Sequence, residues 1–166
     1  MVAAMKIYEL TGSMAGTDKT ASTVRFKLAD DQTIDSNNPI TIPSGNHSNH
    51  SYHKKLRMYC ATAPGTQIDN LLMYSDGGNG FGTGISVIAS NHGVTFSANA
   101  TAELVGSKNL FDFTSGAPMN IDGTDTAAIT TTGYGGDIVA LQMLVASTAS
   151  PGELTDETIT FSYDEI

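Results

Sequence analysis

Turn-forming residues punctuate this chain every eight to twelve positions, and the segments between them either alternate polar with apolar residues or run apolar on both faces. Helical periodicity is nearly absent. A chain patterned this way hides its apolar residues by laying short strands side by side. The expected fold is therefore all-β: a single domain over residues 1–166, built as a two-sheet antiparallel sandwich of jelly-roll or immunoglobulin-like topology with about eight to nine strands. At 166 residues a sandwich can bury a full two-layer core without a metal or a disulfide.

The pattern predicts strands at Lys6–Ser13, Thr20–Ala29, Ile40–Ile42, Tyr52–Thr62, Gln67–Tyr74, Ile85–Ala89, Gly93–Ala98, Asp137–Ser147 and Thr158–Tyr163. In Thr20–Ala29 the alternation sets Val24, Phe26 and Leu28 on one face against Arg25 and Lys27 on the other, the mark of a half-exposed antiparallel strand. In Tyr52–Thr62 it groups Leu56, Met58 and Cys60 against Arg57 and Tyr59. Gln67–Tyr74 and Asp137–Ser147 are apolar on both faces and should be central. Residues 1–6 read as a mildly apolar N-terminal arm. Residues 108–136, rich in Thr, Gly, Asp and Asn, read as a long ordered loop, and ordered loops of that length tend to be functional.

Charge narrows the function classes. The net charge is −9, and all eight Lys and Arg lie at or before Lys108. Nine acids and no base follow it: Asp112, Asp122, Asp125, Asp137, Glu153, Asp156, Glu157, Asp164 and Glu165. Nonspecific nucleic-acid binding needs a basic face that displaces counterions, so no nucleic-acid partner is expected. The acidic last third reads either as a solvated face that aids solubility or as a surface that docks on a basic partner. Cys60 is alone and sits in an apolar run, so it reads as a small core residue. The start MVAAMKIYEL lacks the basic-then-apolar pattern of a signal peptide, and no run approaches the ~18 apolar residues of a membrane helix, so no membrane partner is expected.

Three segments carry a resemblance. The first is Asn38, Pro39, Ile40, Thr41, Ile42 and Pro43 leading to Ser51, Tyr52 and Lys55–Arg57. The second is Ile68–Leu71 through Met73–Gly77 to Gly82–Gly84. The third is Leu141–Val145 followed by Pro151, Gly152 and Thr158–Glu165. Together they span residues 38–57, 68–84 and 141–165, a little over a third of the chain. They resemble small β-sandwich virion proteins of tailed bacteriophages, the decoration and accessory proteins of the particle. The resemblance implies a β-rich, oligomeric (often trimeric) body bound to the outer capsid surface. It brings no active-site residues.

Several residue groups have the composition of a binding site. His47, His50 and His53 form H-x2-H-x2-H. On a helix this spacing gathers three metal ligands on one face, but in extended chain it splays them. The surrounding Gly, Asn and Ser favour a polar loop, and in a trimer three such loops meeting at the axis could hold an ion. Asp76 and Asn79, in the glycine-rich loop Asp76–Gly84, resemble a calcium loop in composition, as do Asp122 and Asp125. They lack the alternating acids and terminal Glu of an EF-hand, and Asp and Asn also cap turns. No cofactor is expected. No phosphate-binding glycine loop followed by Lys-Ser/Thr and no nucleophile elbow is present, which argues against an enzyme. The lack of Trp weakens a sugar-binding reading, leaving Tyr8, Tyr52, Tyr59 and Tyr74 as the candidates for stacking.

The sequence thus points to a non-enzymatic virion protein, assembled in the host cytoplasm, most simply a capsid decoration protein that binds the major capsid protein or other virion proteins as a homo-oligomer, trimeric in the form the resemblance implies. Met1, Val2, Met5, Phe111, Phe113 and Met119, from the arm and the long loop, are the expected contact residues. The alternatives are a receptor- or glycan-binding module of a tail or fibre, and a minor tail or connector subunit.

Overall fold

The computed structural model describes residues 2–93, 102–123 and 128–166. Within them the chain is almost entirely β, and its ten strands form two antiparallel sheets. The strands are β1 (Ala4–Leu10), β2 (Gly16–Asp18), β3 (Ser48–His50), β4 (Lys54–Thr62), β5 (Ile68–Ser75), β6 (Ile85–His92), β7 (Lys108–Asn109), β8 (Met119–Asn120), β9 (Gly133–Ala146) and β10 (Ile159–Glu165). The larger sheet runs β2-β1-β4-β9-β6-β7, with β3 pairing β9; the smaller runs β10-β5-β8.

The two doubly apolar segments occupy the places their composition requires. β9 lies between β4 and β6, and β5 is the middle strand of the smaller sheet. Leu56, Met58 and Cys60 of β4, Val87 and Ala89 of β6, and Val139, Leu141 and Met143 of β9 face inward. They meet Leu71 and Met73 of β5, together with Met119 and Ile121 and the half-buried Phe161 of β10, in one core. β3 and β4 follow one another along the same edge of β9. Between them the Ser51 hydroxyl accepts from the Met143 N–H at 3.0 Å, so a side chain bridges the break in the ladder.

Inward-facing residues of β5 change parity at a bulge. Asn70 has φ of 54°, and the pairing of β10 with β5 slips between Ser162 and Asp164. Leu71 then joins Met73 on the core face, and its displaced N–H is taken by Asp122 Oδ1 at 3.0 Å. Asn tolerates this left-handed backbone better than most residues.

The structure corrects several expectations. Thr20–Ala29 and Ile40–Ile42 form no strand. Val24 and Phe26 do pack against the core, but Leu28 is exposed and Lys27 is buried, the reverse of the predicted faces. The cause is a charged anchor: the Lys27 ammonium donates to Asp35 at 2.7 Å and to Asp31 and Thr33 at 3.0 Å each. Residues 1–6 are not an arm beyond Val2. Ala3 is buried, its N–H bonds both carboxylate oxygens of Glu165 at 2.9 and 3.0 Å, and β1 begins at Ala4. The expected loop 108–136 holds β7, one 3-10 turn (Leu110–Asp112), β8 and the start of β9. Of the strand expected at Gly93–Ala98, residues 94–98 lie outside the described residues.

Candidate binding site: a tyrosine shelf on the outer face of the larger sheet

Pairing fixes which side chains share a face. Met5, Ile7 and Glu9 of β1 stand opposite Cys60, Met58 and Leu56, on the core side. Lys6, Tyr8 and Leu10 must therefore point outward, with Tyr59 and Arg57 of β4 opposite Lys6 and Tyr8. Across the next ladder Tyr59 stands opposite Tyr134 of β9. Three tyrosines from three adjacent strands thus meet on the outer face. Ring centroids lie 5.0 Å apart for Tyr8–Tyr59, 5.1 Å for Tyr59–Tyr134 and 5.8 Å for Tyr8–Tyr134. The two contacts of Tyr134 are edge-to-face, the geometry the ring quadrupole favours.

Polar groups rim the shelf. The Lys6 ammonium and the Asp18 carboxylate pair at 2.7 Å, both about two-fifths exposed. Their mutual hydrogen bond raises the Lys6 pKa. It also drives the Asp18 carboxyl far below the usual range, helped by the Thr20 hydroxyl and N–H. The Arg57 guanidinium stands 5.5 Å from the Tyr134 ring centre, and its Nε donates to the Gly136 carbonyl at 2.8 Å. Burial, then the neighbouring Tyr8 and Tyr59, hold the Tyr134 hydroxyl in its protonated form to higher pH than usual. Gly16 of β2 closes one side: a Cβ there would collide with the Tyr134 hydroxyl and come within 2.8 Å of Tyr8. Glycine is what lets the hairpin lie against the rings.

The other end of this face is covered. Leu104 is buried, and its N–H donates to Gln142 Oε1 at 3.0 Å. The Gln142 amide in turn donates to the Ser51 and Ala102 carbonyls at 3.0 Å each. His53 is buried here, its Nε2 3.1 Å from the Ala102 carbonyl, with His92 of β6 nearby. Burial first, and then the proximity of His92 and Lys55, lowers the His53 pKa; burial lowers that of His92.

The three-histidine motif does not assemble. His50 pairs with Leu144 in β3, His47 lies in the preceding turn, and His53 is under the Ala102 segment. Among the described residues no group of three His, Cys, Asp or Glu side chains is placed to hold a metal ion. Asp76 Oδ1 accepts from the Gly78 N–H at 2.9 Å, and Asn79 bonds the Phe81 N–H and the Ile85 carbonyl, so both side chains organise their own turn. Asp122 serves Leu71, and Asp125 lies outside the described residues.

The expected contact residues are redistributed as well. Phe111 and Met119 are buried, and Phe113 and Met5 are half-buried against the core. Phe111, Phe113 and Met119 pack the interior because their segment closes the smaller sheet, and Met5 because it lies on the core face of β1. Val2 is exposed, and Met1 lies outside the described residues.

Of the tyrosines singled out for stacking, Tyr8 and Tyr59 come together, whereas Tyr74 lines a depression of about 190 Å³ on the smaller sheet with Asp76 and Thr160. Tyr134 was missed because it sits between glycines, in a stretch with no alternation to mark it as strand. A second depression, of about 310 Å³, lies between Phe81, Ile85 and Leu154. Compared with family models, with curated proteins and with solved structures, the chain matches none.

Proposed function

We propose that this chain is a non-enzymatic accessory protein of a tailed-phage particle, a decoration protein that binds the outer face of the capsid as a homo-oligomer and stabilises the shell. The observation that carries the reading is the acidic rim of the smaller sheet. Glu153 and Asp156 are exposed before the edge strand β10 and Asp164 and Glu165 at its end; Arg25 pairs with Glu153 at 3.4 Å, and the sequence has no base after Lys108. Ile159, Phe161 and Tyr163 of β10 are only partly buried, so the edge offers apolar area within a charged border. A basic patch on the major capsid protein complements such a surface. Acidic steering speeds encounter, and burial of about 1,200–2,000 Å² supplies the holding free energy. The resemblance of the three segments to phage decoration proteins supplies the particle.

Imaging the protein in its native assembly tests this. Decoration predicts hundreds of copies on the shell, with retention that weakens as salt rises. A few to dozens of copies on the tail would replace it with the tail or connector reading, and no association with a particle would end it.

A further inference from the structure

The tyrosine shelf lies on the outer face of the larger sheet, on the opposite side of the sandwich from the smaller sheet and its acidic rim. Docking through the rim does not use it. None of its three rings is buried, and Tyr134 is 40% exposed. A sheet face needs no exposed aromatic trio to be soluble. Each partly exposed tyrosine presents an apolar ring together with a hydrogen-bonding hydroxyl, and because Tyr134 stands edge-on to Tyr8 and Tyr59 the rings present their faces in different directions. The Lys6–Asp18 pair adds a donor and an acceptor at the rim of the shelf.

The chemistry that matches is a pyranose ring. Its C–H face is apolar and stacks on aromatic rings through weak C–H contacts, while its hydroxyls radiate outward to paired donors and acceptors. Local charge selects among sugars. The Lys6 ammonium is neutralised by Asp18, and the Arg57 guanidinium is held against Tyr134 and the Gly136 carbonyl, so these two cations do not make the basic track that an anionic polymer needs. The same argument disfavours single-stranded nucleic acid, which stacks on aromatics but needs a basic groove for its phosphates.

We propose that Tyr8, Tyr59 and Tyr134 form a carbohydrate-binding shelf that stacks a neutral pyranose of an oligosaccharide, with Lys6 and Asp18 reaching its hydroxyls. The site does not depend on what the acidic rim binds. Because the shelf is shallow, a single site binds on the order of millimolar, and many copies on one assembly raise the effective strength by avidity.

The chain has six Tyr, three of them in the shelf, and no Trp, so the change in tyrosine emission on binding is assigned to the shelf by comparison with the tyrosine variants. The full chain is titrated with maltohexaose, cellohexaose and chitohexaose, followed by tyrosine fluorescence and by saturation-transfer NMR. At least one sugar should give a saturable response. Tyr59→Ala and Tyr134→Ala should each weaken it about tenfold or more, and Tyr74→Ala, on the other sheet, should leave it unchanged. If an alanine variant loses its β circular dichroism, Asp18→Asn and Lys6→Gln at the exposed rim take its place, with a severalfold loss expected. No saturable response to any of the three sugars up to the order of 10 mM would overturn the proposal. So would binding that survives both the ring and the rim substitutions, or a preference for polygalacturonate over all three.

Discussion

Glu9 illustrates how a single residue can organise a fold end. It alternates with Met5 and Ile7 on the core face of β1, where its 2% exposure would be costly for a lone carboxylate. Two buried lysines answer it: Lys54 Nζ lies 2.7 Å from Oε1 and Lys19 Nζ 3.6 Å from Oε2. The ammonium groups are completed by backbone carbonyls, Lys54 donating to Asp31 at 2.5 Å and Lys19 to Gln32 at 2.8 Å. Removing one member of a buried pair strands the charge of the other. Glu9→Gln should therefore destabilise the protein by about 3–5 kcal/mol, and adding Lys54→Met should recover part of that loss. Chemical denaturation of the two variants measures it. A loss below about 1 kcal/mol for Glu9→Gln would show that the cluster is hydrated instead.

At the scale of elements, β9 is the member on which the rest depends. It pairs with β3, β4 and β6, and its Ile138–Met143 stretch is buried throughout. Its bend at Gly136, with φ of 69°, is fixed by packing: a Cβ there would come 2.6 Å from the Ile121 carbonyl oxygen. Leu141, 1% exposed, faces the smaller sheet. Leu141→Ala should cost about 2–5 kcal/mol, a fall in Tm on the order of 10 °C for a domain of this size. Calorimetry checks this, and an unchanged Tm would remove Leu141 from the centre of the core.

For the whole molecule, stability should fall with acid in two stages. His53 and His92 have folded pKa values below the ordinary ~6.5, so the fold favours their neutral forms. Their contribution is present above that pH and is lost as pH falls below it. Asp35 is pulled to about 2, first by the Lys27 ammonium, and Asp31 lower still by the Thr33 hydroxyl and N–H and by Lys27. Their contribution is intact above the unfolded value near 3.8 and disappears as pH descends toward the folded values. Tm should be flat from about pH 8 to 7, decline below about 6.5, and decline again below about 4. Asp35→Asn should make the second decline shallower and leave the first unchanged. A profile with no change until pH 4 would refute the histidine stage.

The sequence by itself determined the class of fold, the central strands β5 and β9, and the faces of β4, because burial of apolar residues at period two is a local property. Only the tertiary structure decided where charge could go inside. Lys27 and Leu28 exchanged their expected faces because Asp31, Thr33 and Asp35 close around the ammonium, a partnership that alternation cannot encode. The shelf was half legible: Tyr8 and Tyr59 were candidates, but Tyr134 joins them from 75 residues further along the chain. That meeting is set by the β4–β9 register, which depends on long-range pairing and not on any neighbour in sequence.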